Sequence, residues 1–237
     1  MDFKRAHSEE QRAQRRRQIL DVGAAMLTEM PVAKVTLNEL SRRVGLAKSN
    51  VLRYFESREA VLLDLLDAET RQWLAELEQL LQPAEGTARE RGDQLAAVVA
   101  GSLARRPVWC DLNSAQASVL DHNVTVEVAI KYKRASRETI ESMAALFLRY
   151  LPELGTQDAF RLVATTLLLA SAAWPYSNPP QAMLDAYAAD PSVAAMRTDF
   201  TDLLTRSLAV TITGLLVRHD DAPVGAVALS PAHPSVS

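Results

Sequence analysis

Apolar residues recur at helical spacing along most of this chain. Leu37, Leu40 and Val44 fall at i, i+3 and i+7, one face of a short helix, and Val51 and Phe55 follow at i, i+4. Upstream, Ile19, Leu20, Gly23, Ala24 and Leu27 make the inner stripe of a helix over about 8–29. Downstream, Leu62, Leu66, Trp73, Leu77 and Leu80 keep to one stripe over about 59–81. Two more helices are expected over about 87–105 and 107–120. Further stripes at Phe160, Val163, Ala164, Leu167, Leu168, Ser171 and at Phe200, Leu204, Leu208, Thr211, Leu215 mark two others. Val124, Val126, Val128, Ile130 and Tyr132 alternate like a strand, but run without a break into the helical stripe Ile140, Met143, Ala144, Phe147, Leu148, Leu151. A lone strand would have no partner here, so one long helix is expected. The fold class is all-α, with a short extra helix around Met183–Ala188.

Punctuation agrees with this pattern. Ser8 with Gln11, Thr36 with Glu39, and Thr87 with Glu90 have the spacing of capping boxes, and Ser57 with Glu59 suits another helix start. Pro31 and Pro152 close helices, as does Pro175 near Trp174, because proline has no amide donor. Gly45 sits where a helix must stop, since glycine takes left-handed angles cheaply. Gln82-Pro83-Ala84-Glu85-Gly86 is a clear break. Residues 1–7 read as a loose polar lead-in and 219–237, rich in Asp, Pro, Gly and Ser, as a disordered tail. The expected organisation is a head over 1–58, a helical body over 59–218, and that tail.

Charge separates head from body. Residues 1–58 carry 12 Lys and Arg against 7 Asp and Glu, a net of +5; the rest carries 14 against 22, a net of -8. A basic reading head on an acidic body has this asymmetry. The Arg15-Arg16-Arg17 run reads as a solvated face, part of which can meet phosphates. The one cysteine, Cys110, excludes an internal disulfide. No apolar signal core opens the chain, and the longest apolar run, Leu162–Trp174, is too short to span a bilayer. A cytoplasmic protein without a membrane partner is expected. No Cys/His/Asp order, metal-ligand cluster or glycine-rich phosphate loop supports enzymatic chemistry, so neither metal nor cofactor is expected.

Residues 36–58 therefore read as two short helices around a Val44-Gly45-Leu46 corner. The second carries Lys48, Ser49, Asn50, Arg53 and Tyr54 on its polar side, which suits an anionic partner with readable edges. A helical hairpin with a solvated face has the same pattern. Thr36, Leu40, Val44-Gly45, Lys48, Val51, Arg53-Tyr54-Phe55 and Ser57-Arg58-Glu59-Ala60 together resemble the DNA-binding domain of TetR-family transcriptional regulators, over about residues 12–66.

That resemblance implies a regulator that binds a palindromic double-stranded DNA operator as a homodimer and is released by a small effector. Lys48 can donate to guanine O6 or N7, and Asn50 can pair with adenine or grip a phosphate. Asn38 matches the family's other base-contacting position; Thr36, Tyr54 and Arg58 match positions that hold phosphates. Two departures make the operator unpredictable: Leu52 stands where the family often has Tyr, and Ala47 where it often has Ser or Thr. The resemblance further implies an effector cavity among the middle helices, for which Trp109, Cys110, Asn113, His122, Tyr132, Phe147, Trp174 and Tyr176 are candidates. It also implies a dimer interface on the last two long helices, with Phe160, Leu167, Leu168, Leu204, Leu208, Thr211 and Leu215 as candidates. An apolar cavity favours a lipophilic effector. The competing reading is a helical small-molecule-binding or interaction protein without sequence-specific DNA binding.

Overall fold

The computed structural model describes residues 2–82 and 85–220. Among them are eleven α-helices and no strand: α1 (Asp2–Glu29), α2 (Leu37–Val44), α3 (Lys48–Val51), α4 (Arg58–Leu80), α5 (Ala88–Ala104), α6 (Pro107–Ala115), α7 (Val126–Tyr150), α8 (Gly155–Ser177), α9 (Gln181–Ala189), α10 (Pro191–Ala194) and α11 (Phe200–Asp220). From Val126 the alternating stretch belongs to α7, capped by the Thr125 hydroxyl, which accepts from the Val128 amide at 3.4 Å.

The head packs α1, α2 and α3 around Ile19, Met26, Leu40, Val44, Val51 and Phe55, each buried. The first half of α4 closes this core through Ala60, Val61 and Leu65 and then runs into the body. There Trp73 stacks tilted against Trp109 with ring centroids 5.0 Å apart. Each indole N–H is satisfied, Trp73 by the Ser102 hydroxyl at 2.8 Å and Trp109 by that of Thr70 at 2.9 Å. The helix α11 lies along α5 so closely that a Cβ at Gly92 would come within 2.7 Å of Ile212 Cγ2. Glycine there allows the approach.

Several boundaries differ from expectation, each for a local reason. The helix α1 starts at Asp2, so Ser8 is interior rather than a cap, and the polar lead-in is helical from Asp2. No Gly or Pro interrupts residues 2–22, and Glu, Arg, Gln and Ala are good helix formers. At α2, Thr36 caps as expected, accepting from the Glu39 amide at 3.2 Å. The Glu39 carboxylate, however, does not return to Thr36; it accepts from Arg42 at 2.6 Å and Arg43 at 2.9 Å. The Thr87–Glu90 box is complete.

The expected stop at Pro175 is passed by two residues. Pro175 deprives only the Ser171 carbonyl of its partner, and the Ser114 hydroxyl stands 2.9 Å from that carbonyl and 2.8 Å from that of Cys110, with its one proton shared between them. The last helix reaches Asp220, so the expected tail does not begin at His219; from Asp221 it lies outside the described residues. The short α10 was not foreseen.

Candidate nucleic-acid interface and effector cavity

The turn between α2 and α3 is built by Gly45, whose φ of 73° is left-handed. Its amide closes on the Arg42 carbonyl at 3.2 Å, and the Leu46 amide reaches the Ser41 carbonyl at 3.0 Å. This fixes α3 with Val51 and Phe55 inward, so Lys48, Ser49, Asn50, Leu52 and Arg53 project outward and are exposed. α-Helical bonding in α3 is shorter than the expected 48–55. After Val51 the turn tightens, with the Tyr54 amide on the Val51 carbonyl at 2.9 Å. Ala47 gives no side-chain cap, as its methyl dictates. Asn38 and Thr36 are exposed beside this row, and the Thr36 hydroxyl still has its proton to donate.

Arg58 is also drawn into the fold. It is half-buried, donates to the Val32 carbonyl at 3.0 Å and stands 3.7 Å from Glu59. It pins the start of α4 to the turn before α2, a role beside the one expected of it. Tyr54 is half-buried, and its carbonyl accepts from Arg16 at 2.6 Å. Arg16 also lies 4.0 Å over the Phe55 ring and pairs with Asp64. Of the arginine run, it is the one turned inward. Glu39, held between Arg42 and Arg43, has its carboxyl lowered to about 2 by those hydrogen bonds.

In the body, a cavity of about 560 Å³ opens between α4, α6, α7 and α8. Of the eight expected ligand residues, Trp109, Asn113 and Tyr132 line it. The others lie elsewhere. Cys110 is buried against the Leu103 carbonyl at 3.5 Å, its thiol pushed up to about 12 by burial and then by Asp111, which argues against a reactive thiolate. Phe147 is core. His122 is exposed between α6 and α7. Trp174 donates to Asp111 at 2.9 Å and meets the Phe200 ring edge-on at 5.1 Å, and Tyr176 is 74% exposed.

The wall that sequence reasoning missed is one face of α7. Tyr132, Ser136, Ile140 and Met143 recur at i, i+4, i+8 and i+11, a spacing that could have disclosed it. Burial, followed by Asp121 and Asp67, pushes the Tyr132 hydroxyl up to about 12, so it lines the cavity as a neutral group. The remaining polar wall is mostly spent internally. Thr70 donates to the Leu66 carbonyl at 2.6 Å, Asn113 to that of Leu167 at 3.0 Å, and Thr139 to that of Ala135 at 3.1 Å.

Head and cavity share α7. Just before its first turn, Thr125 donates to Glu56 of the head through its amide at 3.2 Å and its hydroxyl at 2.7 Å. Two turns on, Lys131 donates to Asp64 at 2.8 Å, the carboxylate that also holds Arg16.

The expected partner face needs revision. Leu204 and Leu208 are each 1% exposed, buried within the protomer by α5 and α8, and so are closed to a partner. The reason is rotational: the stripe that sequence periodicity finds is the one the core uses. Thr211, Leu215 and Leu167 are half-buried, while Phe160 and Leu168 line the cavity rim. The open apolar positions on these two helices are Phe160, Leu168 and Tyr176 on α8, and Leu203, Val210 and Val217 on α11. By length and composition α11 is also apolar enough to cross a membrane, and 22% of its most apolar window is buried. The apolar run Leu162–Trp174 was not the relevant one.

Fold and head together define an all-α helix-turn-helix regulator. Residues 19–65 match the family described as "Bacterial regulatory proteins, tetR family", and residues 67–219 match "Tetracyclin repressor-like, C-terminal domain". The chain belongs to the TetR family. An uncharacterized HTH-type transcriptional regulator of Mycobacterium tuberculosis strain H37Rv is 30% identical over 71 residues, covering 28% of this chain. That match spans 35% of the relative's length, about a third. Among solved structures, a TetR transcriptional regulator from Rhodococcus sp. RHA1 matches with a TM-score of 0.56 at 14% identity, covering 86% of this chain and 96% of that one. The fatty acid degradation regulator FadR from Bacillus halodurans matches at 0.52 and 14% identity, covering 83% and 97%. At these identities the likeness is one of fold.

Proposed function

We propose that the chain is a cytoplasmic, ligand-responsive repressor that binds a palindromic operator as a homodimer and is released by a small lipophilic effector. The observation that carries the DNA half is the row Lys48, Ser49, Asn50, Arg53, exposed on a helix whose opposite side is locked into the head core. Cationic and amide side chains so placed suit base edges and phosphates in a major groove. Repression is the commoner mode in the family.

The effector half rests on the cavity between α4 and α8. Its size falls within the range of small-molecule sites, and the polar groups of Thr70, Asn113 and Thr139 already have protein partners. Burial of apolar surface is then the main source of affinity. An effector that displaces α7 would pull on Glu56 and Asp64 in the head. It can shift the heads only as far as it binds the shifted state more tightly.

A dimer through α8 and α11 would cover Leu168, Tyr176, Leu203, Val210 and Val217 and give the self-complementary face of a two-fold pair. It would also cover the apolar side of α11 without a membrane.

The test is binding of full-length Lys48→Ala and Asn50→Ala to a duplex that the wild-type chain selects from a randomised pool. Each substitution is expected to cost about 1–3 kcal/mol on the selected site and far less on random DNA. Equal losses on both would reduce these residues to phosphate contacts.

A further inference from the structure

We propose that the N-terminal half of α1 is a second DNA-contacting arm, lying along the phosphate backbone that flanks the half-site read by α3. This rests on the DNA-binding reading above and adds a surface to it.

The head core uses only the C-terminal half of α1. Its buried positions begin at Ile19 and continue through Gly23, Met26 and Leu27, whereas residues 9–15 are all exposed. From Glu9 to Arg15 the helix therefore overhangs the head by about 10 Å at 1.5 Å per residue. A helical stretch exposed on every side contributes nothing to a core, and reaching across to another body is one of the few reasons for it.

The overhang is anchored and aimed. Arg16 fixes its base through the Tyr54 carbonyl, the Phe55 ring and Asp64. Immediately beyond, Arg12, Arg15 and Arg17 line an open groove whose opposite wall is Arg53 and Tyr54, the last residues of the recognition turn. Arg53 thus belongs both to the row facing the major groove and to this groove, which makes the two surfaces continuous. Among the described residues no carboxylate pairs with Arg12, Arg17 or Arg53.

Arg15 donates to the neutral Gln18 side chain at 2.6 Å, and with Arg12, Arg17 and Arg53 it forms a continuous cationic surface that suits a polyanion, whose phosphate oxygens accept forked donors well. Glu10 and Asp21 also line the groove and lower its charge, which limits the arm to a few phosphates rather than a long wrap. Contacts of this type add affinity and set register without reading sequence.

The experiment compares the full-length wild type with Arg12→Ala/Arg15→Ala/Arg17→Ala on the duplex selected by the wild type, extended by flanking sequence on both sides. Alanine is a good helix former and all three sites are exposed, so helicity should persist and is checked by circular dichroism. The slope of log affinity against log salt should fall by about 2 or more, since each lost phosphate contact removes about 0.9. Hydroxyl-radical protection should disappear at the two outer edges of the footprint, with base preference in the half-sites unchanged. A wild-type footprint and salt slope in the triple variant would overturn the arm and leave the regulator standing. Failure of the wild type itself to select any duplex would overturn the DNA-binding reading and the arm with it.

Discussion

Leu208 and Val210 are two residues apart on α11, yet a substitution at each should fail in a different way. Leu208 is 1% exposed, wedged within the protomer, whereas Val210 is 74% exposed on the open apolar side. Leu208→Ala removes buried methyl groups from a packed core and should cost about 2–5 kcal/mol of protomer stability, transfer and cavity terms together. Val210→Arg removes nothing from the core and should leave protomer stability within about 0.5 kcal/mol. If Val210 is buried in the dimer, its loss forfeits about 1.5 kcal/mol or more per protomer. The two-fold axis counts that loss twice, for about 3 kcal/mol, before the cost of burying an unpaired guanidinium is added. At 1.4 kcal/mol per decade the dissociation constant should rise at least about a hundredfold. Sedimentation across micromolar concentrations reads the dimer, and thermal unfolding by circular dichroism reads the protomer. A Val210→Arg protein that stays dimeric with an unchanged constant would refute the assignment of this face. A Leu208→Ala protein that unfolds as wild type does would refute the packing of α11.

Other substitutions probe the head and its link to the cavity. Glu39→Gln should lower stability at pH 7, and the gap to wild type should close on acidification. The Glu39 carboxyl is depressed from 4.5 to about 2, so its stabilisation is present above pH 4.5 and is lost as pH falls towards 2. An unchanged gap at pH 2–3 in chemical denaturation would count against the Glu39–Arg42–Arg43 cluster. Ile140→Trp should fill the cavity and abolish effector binding while operator affinity in the absence of effector stays within about threefold, or about 0.6 kcal/mol. Retained effector binding, measured calorimetrically, would place the effector elsewhere. Lys131→Ala combined with Thr125→Ala should leave effector binding intact but weaken its effect on DNA, and an undiminished effector response in anisotropy would show that α7 does not carry it.

The head was legible in the sequence because its signals are local. Gly45 needs positive φ, Thr36 and Ser57 cap the helices they precede, and Leu40, Val44, Val51 and Phe55 fall on the faces that sequence spacing assigns them. Tertiary competition decided what was missed. Glu39 had the spacing for a capping box, but two arginines on its own helix offered the carboxylate stronger partners than one backbone amide. Arg58 matched a phosphate-holding position, and the hydrogen bond it also makes across the fold to the Val32 carbonyl has no local signal. In the body, periodicity found the buried stripe of α11 and could not tell a core face from a partner face, because both are apolar at the same spacing. Leu208 and Val210 separate only when α5 and α8 are in place. The cavity was partly legible for the same reason. Large or polar side chains such as Trp109, Asn113 and Tyr132 stood out, whereas Ile140 and Met143 look like any core position until four helices leave a gap beside them.

The central claim is that two heads held by one dimer read a symmetric operator. Selection of binding sites from a randomised duplex pool by the full-length wild type, followed by footprinting of the selected sequence, tests it most directly. The account predicts an inverted repeat whose half-sites are protected on one face of the duplex, with centres about 34–36 Å apart or a multiple of that. It also predicts that Val210→Arg protein, still folded, loses most of its affinity for that repeat. Enrichment of no symmetric sequence, or equal affinity of wild type and Val210→Arg for the inverted repeat, would contradict the account.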